Sequence, residues 1–209
     1  MHIPLLFLYL VAWLMPMPEV PAPSMEEEDA ITLLYEAVGL CEQDLEAEVL
    51  VAGLERADEH GVEPRVLAIA DMSQPSTAKR LYIIDLERRS LLLRTYVAHG
   101  QNTGELMAER FSNRHGSHQT SLGLYRVGAE IVSPKHGPAL LLHGLDKGLN
   151  DQALPREVII HGADYVSEDF IRQNGRLGRS WGCPAVTRAD MPKVIELLAN
   201  GGLLYVHAG

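Results

Sequence analysis

Cys183 stands behind a glycine and ahead of a proline in the stretch Gly178-Arg179-Ser180-Trp181-Gly182-Cys183-Pro184, and the chain holds one other cysteine, Cys41. A thiol attacks an acyl carbon as its thiolate, so such a cysteine needs a base or a cation nearby and partial exposure. The obvious partner is His161, which ends the apolar run Val158-Ile159-Ile160 and precedes Gly162. A base held at the edge of a sheet fits that setting. Gly182 lacks a Cβ, which lets the chain turn tightly and lets a substrate approach the peptide N–H groups of Gly182 and Cys183. Those two donors could form an oxyanion hole. Pro184 fixes φ just after the nucleophile and stiffens the turn. The chemistry this spacing supports is acyl transfer through cysteine, with Ser180 a structural hydrogen-bonder of the nucleophile turn.

Other residues compete for roles. An imidazole that serves a thiol needs its second nitrogen oriented, and His143 or a backbone carbonyl could do this; the sequence does not choose between them. His99 and His143 each end a strand candidate near a glycine and could line a cleft. His99, His115, His118, His136 and His143 also invite a metal reading, but His115 and His118 sit in a Gly/Ser/Asn loop with no carboxylate at a recognisable ligand spacing. Arg179, Arg176 and Arg126 could hold a carboxylate bidentately, or each be an ordinary surface arginine.

Taken together with more distant blocks, these residues resemble the murein L,D-transpeptidase catalytic-domain family, relatives of the YkuD-type L,D-transpeptidases, marked by a histidine-glycine pair followed by Ser-x-Gly-Cys. The likeness runs from about Val66 to His207 and takes in Thr95 to Gly100, Phe111-Ser112-Asn113, Ser121-Leu122-Gly123, Gly144 to Asp151 and Ile160 to Val166. Two positions depart from the YkuD-type pattern. Ala185 stands where an arginine or asparagine is usual, and Trp181 where a histidine often precedes the glycine; the gap from His161 to Cys183 is also longer. The resemblance implies a β-sandwich-like catalytic domain, no cofactor and no metal. It further implies peptidoglycan stem peptides as partners, with Cys183 attacking the diaminopimelate carbonyl of a tetrapeptide. Candidate substrate contacts are Arg179, Arg176, Asn150 and His99, and candidate supporting residues Ser180, His143 and Trp181. Alternatives are an L,D-carboxypeptidase or endopeptidase that uses water, and a wall-binding module without catalysis.

The elements that must position this chemistry follow from periodicity. Ser24-Met25-Glu26-Glu27 reads as a capping box, and Ile31, Leu34, Tyr35 and Val38 recur at helical spacing up to Gly39. A second helix is expected from about Glu42 to Glu59, with Leu45, Val49 and Ala52 on one face and Gly61 as its stop. Cys41 is expected within this helical pattern as a small buried hydrophobe. From Arg65 the period changes. Strand candidates are Val66 to Ala70, Leu81 to Leu86, Leu91 to Val97, Leu122 to Val127, Ala139 to His143, Glu157 to His161 and Leu203 to His207. Helices are expected over Val166 to Gln173 and Arg188 to Asn200. The polar loop Gly100 to Thr120 is too long to be a mere connector. The fold class is therefore mainly β with an N-terminal helical hairpin: residues 25–61 form the hairpin and 62–209 the catalytic domain.

At 209 residues, one domain plus a leader can bury a full core without disulfides. The net charge of -10 argues against a nucleic-acid partner, because phosphate binding requires a basic face. Residues 1–24 carry an apolar run from Ile3 to Met15, four prolines and the small-x-small site Ala22-Pro23-Ser24. That run is too short to span a bilayer and reads as a secretory signal, or as an anchor if it is uncleaved. A misassigned start is the remaining alternative, since the segment before the run has neither Lys nor Arg. Export to the periplasm or cell envelope is the expectation, with the membrane met only through this segment.

Overall fold

The computed structural model describes residues 25–41 and 43–209. The leader and the first residue of the capping box lie outside them.

Two helices open the chain, α1 (Met25–Val38) and α2 (Ala47–Glu59). Gly39, with φ of 73°, ends the first in the left-handed region that glycine tolerates. The second starts later than its periodicity suggests, because residues 43–45 form a turn, with the Asp44 and Leu45 amides donating to the Cys41 carbonyl. Cys41 is therefore exposed, its thiol 3.2 Å from the Asp44 carboxylate, and the expectation of a buried cysteine is wrong. The buried stripe of α2 is Val49, Leu50, Gly53 and Ala57. Its rotation away from Ala52 brings Gly53 against the Tyr205 ring.

Eight strands follow: β1 (Val66–Asp71), β2 (Leu81–Asp85), β3 (Ser90–Thr95), β4 (Gly123–Ser133), β5 (Gly137–Gly144), β6 (Ile159–Ala163), β7 (Ala185–Thr187) and β8 (Leu203–His207). Helix α3 (Glu168–Asn174) lies between β6 and β7, and α4 (Met191–Leu198) between β7 and β8. All strands join one sheet in the order β3-β2-β1-β8-β4-β5-β6-β7. The chain leaving β3 then bridges Ala98 to Ala185 of β7, at the opposite edge, so the sheet nearly closes on itself.

Period-two alternation divides the side chains of β1 and β2 between two cores. Ala68, Ala70, Leu81 and Ile83 point inward, in one cluster with Leu140, Leu142 and Ile160 from the facing half of the sheet and with Met191, Val194 and Leu198 of α4. Their neighbours Leu67, Ile69, Tyr82 and Ile84 point outward and are covered by Val38, Leu45, Val49 and Leu50 of the helical hairpin. The result is the mainly β, sandwich-like architecture, with helices outside one face and α4 between the halves. A third apolar cluster, Ala98, Ala163, Val166, Leu177 and Ala185, lies where the sheet closes.

Candidate active site

Cys183 stands two residues before Ala185, where β7 begins. The turn before it is held by Ser180, whose hydroxyl donates to the Cys183 carbonyl at 2.6 Å and accepts the Gly182 N–H at 3.0 Å. Gly182 has φ of 118°, and a Cβ there would stand 2.6 Å from the Gln119 carbonyl oxygen, so a side chain is excluded twice over. The thiol makes a long contact, 3.9 Å, to the Glu157 carbonyl. Glu157 itself takes φ of 56°, an uncommon conformation for a residue with a side chain, directly beside the sulfur. Desolvation raises the thiol pKa, opposed by the Ile159 amide and by the positive charges of Arg156 and Lys135.

His161 is 1 % exposed in β6, and the parallel β6–β7 register pairs it with Ala185, two residues beyond Cys183. Its Nδ1 lies 3.2 Å from the Gly162 carbonyl, an arrangement that assigns the proton to Nδ1 and leaves Nε2 as the free base. The ring stacks on His136 with centroids 3.7 Å apart. Burial above all, with the neighbouring His136, Lys135 and Arg188, lowers the His161 pKa to about 4. At neutral pH the imidazole is therefore uncharged, and the same burial weakens it as a base. The base and the thiol share no hydrogen bond among the described residues.

The loop between β3 and β4 packs on the nucleophile turn. Gly100 bridges Ser180, the Gln101 amide donates to the Ser180 carbonyl at 2.8 Å, and the Ser180 amide donates to the His99 carbonyl at 3.0 Å. Trp181 is 64 % exposed, stacked on His118 of the loop at 4.9 Å and capped by the Lys135 ammonium at 4.5 Å. Lys135 and His136 together make the β4–β5 turn a bridge from the Cys183 loop to His161.

The family model for the L,D-transpeptidase catalytic domain matches residues 41–207, which includes every residue of this site. The chain belongs to the L,D-transpeptidase catalytic-domain family. Among solved structures, an L,D-transpeptidase from Mycobacterium smegmatis is similar at 14 % identity and a TM-score of 0.44, over 70 % of this chain and 60 % of that one. An L,D-transpeptidase from Stackebrandtia nassauensis gives 16 % and 0.41, over 90 % and 80 %, and one from Mycobacterium tuberculosis H37Rv 16 % and 0.40, over 70 % and 59 %. The chain thus spans about 60 % of the mycobacterial proteins. No curated protein matches it.

Within this L,D-transpeptidase domain the remaining sequence candidates fall in different places. His99 is 1 % exposed, with Nδ1 accepting from Arg80 at 2.8 Å and Nε2 facing the Gly104 carbonyl at 3.2 Å. Burial and the Arg80 charge lower its pKa to about 4, and it anchors the loop from below. Asn150 is fully buried; its amide donates to the Leu122 and Leu124 carbonyls, both at 3.0 Å, and its oxygen accepts the Asp146 amide at 2.8 Å. Both side chains serve the scaffold. His143 lies four residues along β5 from Ala139, the partner of His161, roughly 13 Å at strand spacing. Arg179 and Arg176 both bind Glu105, at 2.6 and 2.9 Å. Arg126 is exposed on β4. Among the described residues no group of three or more His, Cys, Asp or Glu is arranged to hold a metal ion.

Two residues near Cys183 escaped sequence reasoning. Arg156 donates to the Ser112 carbonyl at 2.9 Å, the Gln119 carbonyl at 2.7 Å and the Ser121 hydroxyl, which places a guanidinium under the loop and beside Gly182. A lone arginine between two turns carries no signal in the sequence. His136 was visible only as one of five histidines suggesting a metal, although its place just before Gly137, in the turn between two strand candidates, marks a hairpin tip.

Proposed function

We propose that this domain is a peptidoglycan L,D-transpeptidase that works through a thioacyl intermediate on Cys183. In this reading the His161 Nε2 takes the thiol proton, and the sulfur adds to the diaminopimelate carbonyl of a tetrapeptide stem. The tetrahedral intermediate then expels the terminal D-alanine with that proton on its amine. An incoming amine attacks the thioester, loses its proton to His161 and restores the thiol. The Cys183 amide is the nearest donor for the oxyanion; the Gly182 amide would have to exchange its Ser180 partner for it. Cross-linking at the envelope requires the domain to be exported, which the leader is read to provide.

The observation that carries the reading is the β6–β7 register. It sets His161, whose ring faces a backbone carbonyl, beside Ala185, two residues beyond a cysteine that follows a left-handed glycine. The expected outcome is that purified protein incubated with disaccharide tetrapeptides releases D-alanine and forms dimers joined between two diaminopimelate residues, read by mass spectrometry. Release of D-alanine without dimers would assign water as the acceptor. Cys183→Ser should remove either product while Cys41→Ala retains it. Folded protein that leaves the muropeptides unchanged, or an active Cys183→Ser, refutes the mechanism.

A further inference from the structure

The loop between β3 and β4 carries an open surface cavity of about 430 Å³ lined by Asn102, Arg110, Arg114, His115, Ser117 and Gln119 among others, and no carboxylate is among its lining residues. In a chain of net charge -10 that is unusual. Most arginines here lie within 4.0 Å of an Asp or Glu, including Arg176 and Arg179. Arg110 and Arg114 do not: among the described residues neither has an acidic partner. Arg110 uses only its Nε, on the Asn102 carbonyl at 3.3 Å, and the Arg114 guanidinium makes no hydrogen bond. Two guanidinium forks thus face one cavity with their donors unspent.

The walls between them are fixed by bonds that do not use those forks. Arg156 holds the Ser112 and Gln119 carbonyls, the Asn102 amide holds the Ser117 carbonyl, and the Gln119 side chain holds the Asn102 carbonyl at 3.0 Å. A cavity braced in this way loses little entropy when a ligand enters. It also adjoins the nucleophile, since Gln119, which lines it, has its carbonyl against Gly182. A planar anion matches paired guanidinium donors bidentately.

We propose that this cavity is a carboxylate-binding subsite, in which Arg110 and Arg114 hold a free carboxylate of a peptide whose reacting carbonyl or amine lies at Cys183. The link to Cys183 rests on the transpeptidase reading, but the binding of a carboxylate does not. Of the arginines that sequence singles out for such a group, Arg176 and Arg179 are occupied by Glu105 and Arg126 lies exposed on β4; Arg110 and Arg114 line the loop cavity together.

The test has two arms. In the first, glutarate and its neutral diamide are titrated into the intact protein while backbone amide resonances of residues 110–119 are followed. Glutarate is expected to shift them saturably and the diamide not, and the exposed double substitution Arg110→Gln, Arg114→Gln to weaken glutarate at least about tenfold, the worth of a charge-assisted bond. Equal response to the diamide, or glutarate binding unmoved by the double substitution, overturns the subsite. In the second, transfer is assayed with stem peptides whose free carboxylates are intact or amidated. A rise of about tenfold in KM for the donor of the double variant, abolished by amidating the donor, assigns the carboxylate to the donor. The same pattern in the acceptor assigns it to the acceptor. Transfer unaltered in both would detach the cavity from Cys183. If no transfer occurs with any peptide, the transpeptidase reading fails while the titration still decides the subsite.

Discussion

At the scale of single residues, the thiol and imidazole shifts run in opposite directions, and together they define the resting state. A neighbouring imidazolium, the cation that a reactive thiol can use, would lower the thiol pKa. The structure instead raises the thiol by desolvation and lowers His161 to about 4, so the pair rests as neutral thiol and neutral imidazole. Alkylation of Cys183 by iodoacetamide should accordingly climb with pH through a midpoint above the ordinary thiol value, and His161→Ala should leave that midpoint nearly in place. The same substitution should slow acyl transfer by about 10²- to 10⁴-fold, the usual worth of a general base. A large upward move of the alkylation midpoint in His161→Ala would mean an ion pair at rest. The sign for folding follows from the same values. His99 and His161 are depressed to about 4 when folded against about 6.5 when unfolded, so the unfolded chain binds the extra protons. Their contribution is present above about pH 6.5 and is lost as pH falls towards 4, on the order of 3 kcal/mol for each by then. Urea midpoints measured from pH 7 to pH 4 should fall accordingly; a flat profile would show that neither ring must stay neutral.

At the scale of elements, the β4–β5 turn touches both halves of the proposed chemistry, with Lys135 on Trp181 and His136 on His161. Loss of the stacked ring in His136→Ala should cost about 1 kcal/mol of stability. It should also slow transfer by several-fold to about tenfold if the stack holds the base in place. Transfer rates compared with the thermal midpoint separate the two effects, and full activity in a slightly destabilised variant would leave the ring a packing role only. What the sequence reveals of these elements depends on length and period. Strands β1, β2, β5 and β8 announce themselves by apolar runs bounded by turn residues, and the long loop by its polarity. Strand β7 does not, because Ala185-Val186-Thr187 is three residues long and owes its conformation to β6 beside it. The glycine at 182 and the cysteine at 183 are legible because few backbone arrangements need that pair. The Arg80–Val97 and Arg156–Gln119 bonds and the His136 stack on His161 are not, since each joins groups 17 or more residues apart that strand pairing and loop packing bring near.

At the scale of the whole molecule, the helical hairpin and the proposed chemistry occupy opposite sides of the sheet. Leu50 is fully buried with Leu67, Ile69 and Tyr82 on the outer face, whereas Cys183 packs against the inner cluster. Leu50→Ala should therefore cost about 2–5 kcal/mol by denaturant titration and leave transfer per folded molecule unchanged. A matching loss of turnover would show that the hairpin reaches the site. The seam where the sheet closes has a different consequence. Among the described residues the isolated bridges that join the two edges are Ala98–Ala185 and Gly100–Ser180, and Cys183 lies between their partners in the chain. A sheet joined so narrowly opens there before it opens anywhere along its long ladders. The turn that carries Cys183 is thus also the clasp of the nearly closed sheet, and under the proposed mechanism an acyl group on the sulfur would disturb that clasp. Amide exchange at Ala98, Gln101 and Ser180 should then change on acylation while exchange in β1 and β8 stays constant, which would make the covalent state of one sulfur readable in the breathing of the whole sheet.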